Sequence, residues 1–235
     1  MGVTAENIVE KYGITRKEQD SYALESQKKA LKAVESGRFD DEIVPLTVNN
    51  RRGIFEFTRD EFPRETSLDQ LGKLPSAFVE GGSVTAGNAS GLNDGAAIVL
   101  LASKKAVDVH NLNPIGKIVS SASAAVPPAI MGIGPVPSTK KALERAGMEM
   151  NDIDLIELNE AFAAQVLAVN KELHIDESRL NVNGGAIALG HPVGCSGARI
   201  VVSLLHELKK QEKSYGLATL CVGGGQGVSL VVESL

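Results

Sequence analysis

The spacing of apolar residues predicts helices at the start of the chain. Small and apolar side chains between residues 4 and 37 recur at the intervals found along one face of an α-helix. Thr15 and Glu18 have the spacing of a capping box, in which each side chain accepts a hydrogen bond from the backbone amide of the other residue. Gly37 is a natural helix end. We therefore expect a short helix before Thr15 and a longer one after it.

The next stretch predicts a β-hairpin followed by irregular structure. Residues 42–48 and 54–58 favour strands, and the polar run Asn49–Gly53 between them favours a turn. Residues 59–82 are polar and interrupted by proline and glycine, so we expect short helices there at most. Because region 1–92 lacks the strand–helix alternation of a packed α/β core, we interpret it as a large excursion or lid.

From residue 95 onward, short apolar runs alternate with amphipathic segments, which predicts an α/β fold. The first run, Gly95–Ala102, is almost entirely apolar, as expected for a strand buried on both faces. No comparable strand precedes it, so its partners are either the later strands or absent from this chain. The later strands are expected at residues 115–123, 155–158, 180–182, 217–222 and 228–233.

Composition and charge argue against several classes of function. Apolar residues make up 43% and charged residues 23% of the 235 positions, an ordinary balance for a globular protein. The net charge of −5 comes without a basic stripe, which argues against nucleic acid. No apolar run approaches the ~20 residues of a membrane span, and no secretory leader is visible. The two cysteines, Cys195 and Cys221, are expected to be thiols in a reducing compartment, the cytoplasm.

Three polar residues lie at or soon after the ends of predicted strands: Asn159, His191 and Cys221. The carboxyl ends of strands in an α/β sheet gather at one edge, where such folds bind ligands. A thiol near an imidazole permits proton transfer, and the amides of the glycine turn at 223–225 can stabilise an oxyanion. The set suits acyl transfer or proton removal next to a carbonyl. Simpler interpretations stay open, since Asn159 is also a suitable helix N-cap and Cys221 a common kind of buried residue.

The glycine-rich run Gly184–Arg199, which contains His191, has simpler and rival interpretations. It could be only a flexible connector with an incidental histidine. Gly185 and Gly190 have the glycine spacing of a phosphate-binding loop, but His191-Pro192 stands where that motif needs Lys-Ser or Lys-Thr. A zinc site is disfavoured because no cysteine or histidine pair has the close spacing of metal ligands.

Long motifs in this sequence resemble those of the thiolases, the acetyl-CoA acetyltransferases and 3-ketoacyl-CoA thiolases. The resemblance covers essentially the whole chain and implies a thiolase-like α/β fold, with a mixed sheet covered by helices and a mostly helical loop domain. The motifs are Asn159-Glu-Ala-Phe-Ala, the Gly-His-Pro of Gly184–Arg199, Cys221-Val-Gly-Gly-Gly-Gln-Gly and Thr85-Ala-Gly-Asn-Ala-Ser-Gly-Leu-Asn-Asp-Gly-Ala-Ala.

The resemblance implies specific catalytic roles. His191 would activate a nucleophilic cysteine and help to bind the thioester oxygen. Cys221 would be the general acid/base at the α-carbon of acetyl-CoA. Asn159 would hold a water in an oxyanion hole, and the Gly223 amide would be the other oxyanion donor.

The resemblance also implies residues that bind the substrate. Ser90 and Ala86 would contact coenzyme A, and Arg64 would lie near its adenine. Phe162 and Met131 would line the acyl pocket. No metal and no permanently bound cofactor are expected, since CoA thioesters are the substrates.

Thiolases are nearly twice this long, and nothing in the sequence matches their Cys-Ser-Gly-like nucleophile motif, because Cys195 belongs to the histidine motif. We therefore expect the C-terminal portion of a thiolase, without the N-terminal domain that carries the nucleophile. Residues 1–92 would be the loop domain, 93–111 the last strand and helix of the absent domain, and 112–235 the C-terminal domain.

The resemblance predicts an acyl-CoA C-acetyltransferase that catalyses Claisen condensation or thiolysis and is inactive as this chain alone. Its expected partners are acetyl-CoA or 3-ketoacyl-CoA, an N-terminal half or other thiolase subunits, and further copies in a homo-oligomer. The alternative is a non-catalytic CoA-binding protein or one subunit of a split thiolase.

Overall fold

The computed structural model describes residues 1–51 and 53–235, and it begins with the two predicted helices. Helix α1 spans Gly2–Tyr12 and helix α2 spans Arg16–Glu35. The capping box is present: the Glu18 N–H donates to the Thr15 hydroxyl at 3.2 Å, and the Thr15 N–H donates to the Glu18 carboxylate at 2.6 Å. The two orphan amides at the start of α2 are thereby satisfied.

A two-stranded hairpin follows. Strand β1 (Leu46–Asn50) pairs antiparallel with β2 (Gly53–Phe57), and Asn50 lies opposite Gly53. The hairpin was predicted, although β1 begins later than the sequence pattern indicated. The short helix α3 spans Leu68–Gly72 and is the only helix in residues 59–82, a region whose irregular structure was also predicted.

The second half of the chain forms a four-stranded mixed sheet in the order β3-β6-β5-β4. Strands β4 and β5 are parallel, whereas β6 runs antiparallel to both β3 and β5. The last two strands therefore form an antiparallel hairpin, at the positions where the sequence predicted strands 217–222 and 228–233. The strands are β3 (Gly116–Ala125), β4 (Leu155–Leu158), β5 (Tyr215–Val222) and β6 (Gln226–Ser234).

Helices cover both faces of this sheet, because successive strand residues point to opposite sides. Leu217 packs in a core that includes α5 and α6, whereas Ala218 packs in a separate core that includes α8. None of the described helices is long and apolar enough to cross a membrane. The remaining helices are α4 (Lys104–His110), α5 (Pro135–Ala146), α6 (Ala163–Leu173), α7 (Ala186–Leu189) and α8 (Ser196–Lys210), with 3-10 turns at Pro128–Ile133 and Met150–Asp152.

The predicted strand at Gly95–Ala102 is wrong. The segment has no regular secondary structure, and neither sheet in the described chain includes it. A strand needs a neighbour for its backbone hydrogen bonds, and without one Ile98 and Leu100 are 90% and 83% exposed. The helix predicted after it is present as α4.

The predicted strand at residues 180–182 is reduced to one parallel bridge between Leu180 and Ile156. Asn181 has a positive φ of 45°, which interrupts an extended backbone directly after the bridge. The Asn181 side chain instead bonds to both backbone groups of Leu158, at 2.9 Å each.

Candidate active site

Two parallel strands bring Asn159 and Cys221 to the same edge of the sheet. Leu158, the last residue of β4, lies opposite Thr219 of β5. The Asn159 N–H extends this pairing by donating to the Thr219 carbonyl at 3.0 Å. Cys221 follows two residues later, where it faces Gly227 across the hairpin. The convergence of strand ends that the sequence predicted therefore holds for these two residues.

A segment of small residues, 83–93, crosses this edge. Ala89 forms an antiparallel bridge with Phe162, three residues after Asn159. The backbone N–H and the hydroxyl of Ser90 both donate to the Ala161 carbonyl, each at 3.1 Å. Small side chains are needed because the backbone runs directly against the Asn159 motif.

The same segment then reaches the glycine-rich loop that carries His191. Leu92 forms a parallel bridge with His191, and the His191 N–H donates to the Gly91 carbonyl at 2.8 Å. A Cβ added at Gly95 would lie 2.7 Å from Pro192, so the two chains are in close contact. Segment 83–93 thus links His191 to the strand ends that carry Asn159 and Cys221.

The His191 imidazole is held by Ser196. Its Nδ1 lies 2.6 Å from the Ser196 hydroxyl, and that hydroxyl donates to the Pro192 carbonyl at 3.1 Å. With the serine proton directed to Pro192, the compatible tautomer is the one whose Nδ1–H donates to the serine oxygen and whose Nε2 is an acceptor. Partial burial lowers the pKa of His191, so the imidazole is neutral at neutral pH.

Cys221 is only 6% exposed and lies in an apolar cluster. Burial raises the pKa of its thiol to about 12, because the thiolate would lose its hydration in these surroundings. The resting side chain is therefore a thiol. The buried members of the cluster are Ala5, Val84, Ala89, Met131, Ala161, Phe162 and Cys221.

Asn159 is 3% exposed, and its Nδ2 has no hydrogen-bond partner among the residues that the structure describes. It lines a small cavity of about 30 Å³, enough for one or two water molecules. Asn159 is not a helix N-cap, because α6 begins at Ala163 with Phe162 in the cap position. Lining residues besides Asn159 include Glu157, Gly190, Ser196, Arg199 and Ser203.

The residues expected in the acyl pocket lie together. Met131 and Phe162 are 1% and 7% exposed, and both belong to the Cys221 cluster. The Phe162 ring makes an edge-to-face contact with Phe78, with ring centres 6.0 Å apart. An apolar wall thus surrounds the Cys221 thiol.

The residues expected to bind CoA lie along the outer side of segment 83–93. Ala86 is exposed, whereas Ser90 is half-buried. Arg64 is exposed, and its guanidinium carbon lies 5.0 Å from the centre of the Phe62 ring. Phe62 in turn packs on Gly91, where an added Cβ would lie 2.3 Å from the ring.

Gly223 begins the turn between β5 and β6 and is exposed. The turn is fixed to the chain before the Pro128–Ile133 3-10 turn, because the Val126 N–H donates to the Gly225 carbonyl at 2.7 Å. Gly225 has a φ of +96°, a conformation that favours glycine. The Gly223 amide, two residues after Cys221, therefore lies on a turn that this hydrogen bond holds in place.

Asn159, His191 and Cys221 do not hydrogen-bond one another through their side chains in the described chain. Among the described residues, no group of three histidine, cysteine or carboxylate side chains is arranged to hold a metal ion.

Sequence reasoning missed Ser196, the partner of His191, and Glu160, which is completely buried. A signal for Glu160 was available, since a charged residue inside an otherwise small and apolar motif is rarely without a structural partner. Ser196 gave no comparable signal within its glycine-rich run.

Comparisons with known proteins show the family of this chain. Residues 112–234 match the family described as "Thiolase, C-terminal domain", and residues 1–105 match "Thiolase, N-terminal domain". The chain is 57% identical over 236 residues to an acetyl-CoA acetyltransferase of Escherichia coli strain K12, and 58% identical over 234 residues to one of Pseudomonas aeruginosa. These two matches include 100% and 99% of this chain, but only 60% of each relative.

Solved structures give the same result. The crystal structure of the Bacillus anthracis acetyl-CoA acetyltransferase matches with a TM-score of 0.98 at 55% identity, over 100% of this chain and 60% of that chain. Human mitochondrial 3-ketoacyl-CoA thiolase in complex with CoA matches with a TM-score of 0.93 at 44% identity, over 100% of this chain and 59% of that one. The predicted thiolase-like α/β fold is confirmed.

One prediction is overturned by these matches. We expected the N-terminal thiolase domain to be absent, but residues 1–105 match that domain. The expectation was wrong because it depended on the chain length and on the missing nucleophile motif, and the absence of one motif does not show that the rest of its domain is absent. The chain spans about 60% of the length of its relatives and contains sequence of both thiolase domains. This chain belongs to the thiolase family.

Proposed function

We propose that this chain carries the acid/base and oxyanion groups of an acyl-CoA C-acetyltransferase that acts on acetyl-CoA or 3-ketoacyl-CoA. Cys221 exchanges a proton with the α-carbon of the thioester. His191 binds the thioester oxygen directly, and Asn159 binds it through a water. The Gly223 amide is a second oxyanion donor.

The Cys221 thiol is the observation that carries the proposal. The α-hydrogens of a thioester are very weakly acidic, so a base that removes them must itself be strong. Burial raises the pKa of Cys221 to about 12, which brings the thiol closer to the carbon acid than an exposed cysteine would be. The surrounding apolar side chains of Met131 and Phe162 also exclude water that would quench an enolate.

In the direction of thiolysis, the bond between the α- and β-carbons of the 3-ketoacyl chain breaks. The electron pair stays on the α-carbon as the enolate of acetyl-CoA, and the Cys221 thiol protonates it. The acyl group passes to a thiol nucleophile and then to the sulfur of CoA. The neutral His191, with Nε2 free, is suited to accept the proton of that nucleophile. Condensation is the reverse sequence.

We expect this 235-residue chain by itself to lack thiolysis. Its two cysteines are Cys221, which is the acid/base, and Cys195, which lies in the histidine motif at the start of α8. We propose that the nucleophile lies outside these 235 residues. We propose that the working assembly is a cytoplasmic homo-oligomer or a complex with further thiolase subunits.

Contacts along segment 83–93 support CoA binding. Ser90 and Ala86 lie on this segment, and Arg64 is joined to it through Phe62. A relative with this fold has been crystallised with CoA. We propose that Ser90 and Ala86 contact the pantetheine arm and that Arg64 lies near the adenine.

A second candidate function is CoA binding without catalysis. It is the alternative for these 235 residues, because their cysteines are Cys221 and Cys195 and neither is proposed as the nucleophile of acyl transfer. The two candidates differ in whether the α-hydrogens of bound acetyl-CoA exchange with solvent.

The test is deuterium exchange. The purified chain is incubated with acetyl-CoA in D2O, and deuterium in the acetyl methyl group is measured by mass spectrometry. We expect exchange above the rate without protein and its loss in Cys221→Ala. Cys195→Ser is the matched control, since it removes the other thiol and should leave exchange unchanged.

Calorimetry with CoA complements this assay. Binding without exchange would favour the non-catalytic candidate, and equal exchange in Cys221→Ala and the unaltered chain would refute the role of Cys221. Absence of CoA binding would refute both candidates for this chain. Thiolysis of acetoacetyl-CoA by the chain alone would contradict the expected need for a further nucleophile.

A further inference from the structure

The Glu160 carboxylate joins three parts of the chain that are distant in sequence. The side chain is completely buried, and its two oxygens accept four hydrogen bonds. Two of these donors belong to α2, and two belong to the loop that leads to His191. The donors are Tyr22 Oη at 2.8 Å, Ser26 Oγ at 2.7 Å, Asn181 Nδ2 at 3.0 Å and the Ile187 N–H at 3.1 Å.

These four bonds match an ionised carboxylate, since both oxygens only accept. No salt bridge within the described chain includes Glu160, so hydrogen bonds alone compensate for the loss of water. Burial raises the pKa of Glu160, and the bonds from Ser26 and Tyr22 oppose that rise. Losing one acceptor oxygen would therefore leave buried donors unsatisfied.

Glu160 lies between two residues of the candidate site, Asn159 and His191. Asn159 directly precedes it. On the other side, Ile187 lies in the single turn of α7, which is followed by Gly190 with a φ of 89° and then by His191. The path from the carboxylate to the imidazole is short and tightly folded.

Packing leaves the loop little freedom to adopt another path. A Cβ added at Gly185 would lie 2.3 Å from the Glu160 carboxyl carbon, so only glycine fits there. The Gly185 N–H also donates to the Ser26 hydroxyl at 3.1 Å, and that hydroxyl donates onward to Glu160. The loop is thus fixed to α2 and to the end of β4 through one side chain.

We propose that Glu160 is a positioning residue that fixes the His191 loop relative to Asn159. It holds both groups from behind, without contact with the substrate. The inference rests on the proposed function in treating Asn159 and His191 as catalytic groups. The dependence of the loop on Glu160 follows from the contacts alone, so it can be tested separately.

The test compares Glu160→Gln with the unaltered chain by hydrogen exchange of the backbone amides in residues 181–191. The substituted amide group replaces one acceptor by a donor, so it leaves one N–H donor, that of Asn181 or of Ile187, without its acceptor. We expect these amides to exchange at least about tenfold faster in the variant. Glu172→Gln is the matched control, because Glu172 also accepts from a tyrosine, Tyr12, but at a contact outside the site.

Catalysis provides the second readout. Displacement of catalytic groups by about 1 Å costs on the order of 100-fold in rate. We therefore expect Glu160→Gln to slow deuterium exchange into acetyl-CoA about 10- to 100-fold, with the dissociation constant of CoA changed less than about threefold. A purely structural role would lower the rate of deuterium exchange and the fraction of the chain that binds CoA, each in proportion to the folded fraction. Glu160→Asp keeps the charge and should recover part of the rate.

The outcomes separate the two proposals. A folded Glu160→Gln whose loop exchanges at the original rate overturns the positioning role, whatever the activity. If Glu160→Gln does not fold, Tyr22→Phe and Ser26→Ala each remove one bond to Glu160 and one bond to the loop, from Asn181 and from Gly185 respectively, and each should loosen the loop by a smaller factor. Unchanged exchange of the loop amides in both Tyr22→Phe and Ser26→Ala would again overturn the positioning role of Glu160. Loss of loop protection in a chain that never exchanges the acetyl hydrogens would support the positioning role and refute the proposed function.

Discussion

At the scale of single residues, the chemistry of Cys221 and His191 depends on burial. Both are ordinary side chains in the sequence, and both have shifted pKa values because the folded chain removes water from them. Cys221 keeps its proton and His191 stays neutral. This is the protonation state in which one group can donate a proton and the other can accept one.

Alkylation of Cys221 tests its shifted pKa. Because that pKa is about 12, the thiolate fraction should still rise tenfold per pH unit across the range from pH 7 to 10. We expect the alkylation rate by iodoacetamide, measured in Cys195→Ser, to rise through pH 10 without a plateau. A plateau below pH 9 would show a thiol of ordinary acidity.

Glu157 provides a stability prediction. This carboxyl on β4 is 8% exposed, and burial, assisted by the charge of Glu160, raises its pKa well above the usual value. A raised folded-state pKa means that the folded chain holds a proton that the unfolded chain releases. The free energy of unfolding therefore falls as the pH rises above the ordinary glutamate value.

We expect Glu157→Gln, which imitates the protonated form, to reduce this fall, which is at most about 1.4 kcal/mol per pH unit for one proton. Urea unfolding at pH 5 and pH 8 measures the difference. Glu10→Gln, at an exposed position on α1, is the control. Identical pH dependence in the unaltered chain and Glu157→Gln would contradict the buried proton.

At the scale of elements, the site is assembled from turns and strand ends. The parallel pairing of β4 with β5 puts Asn159 and Cys221 at one edge, and segment 83–93 connects that edge to His191. The sequence pattern located most of these elements, including β4 with its correct bounds. It did not locate their contacts, since bridges such as Ala89 to Phe162 join residues far apart in the chain.

The β5–β6 turn allows a paired test of backbone strain. Gly225 has a φ of +96°, and an added Cβ would lie 2.2 Å from the Val126 carbonyl oxygen. Gly13, with a φ of +60°, has nothing within 4 Å of that position. Gly225→Ala should therefore lower the free energy of unfolding by at least about 2 kcal/mol, and Gly13→Ala by about 1 kcal/mol. Equal losses in chemical denaturation would contradict the close contact at Gly225.

At the scale of the whole molecule, residues 92–101 form an exposed apolar stretch. Leu92, Ile98 and Leu100 are 85%, 90% and 83% exposed. Exposed apolar patches favour association of a protein with itself or with partners. This chain should therefore associate at high concentration.

Lysine at two of these positions tests that expectation. Ile98→Lys combined with Leu100→Lys should change the free energy of unfolding by less than about 0.5 kcal/mol, because neither side chain is packed. Light scattering and binding of a hydrophobic dye should both decrease. As a contrast, Leu204→Lys alters a side chain that is 1% exposed and should unfold the chain. Unfolding of the double variant would show that the stretch is packed.

The sequence by itself determined the α/β class and the order of most helices and strands, and it predicted that Asn159 and Cys221 meet at one edge of the sheet. Capping boxes, glycine helix ends and alternating strands depend on neighbouring residues, so local patterns are sufficient to predict them. The tertiary structure decided that residues 95–102 form no strand, because a strand depends on a partner elsewhere. It also decided the partners of His191 and Glu160, because buried hydrogen bonds form between groups that only folding brings together.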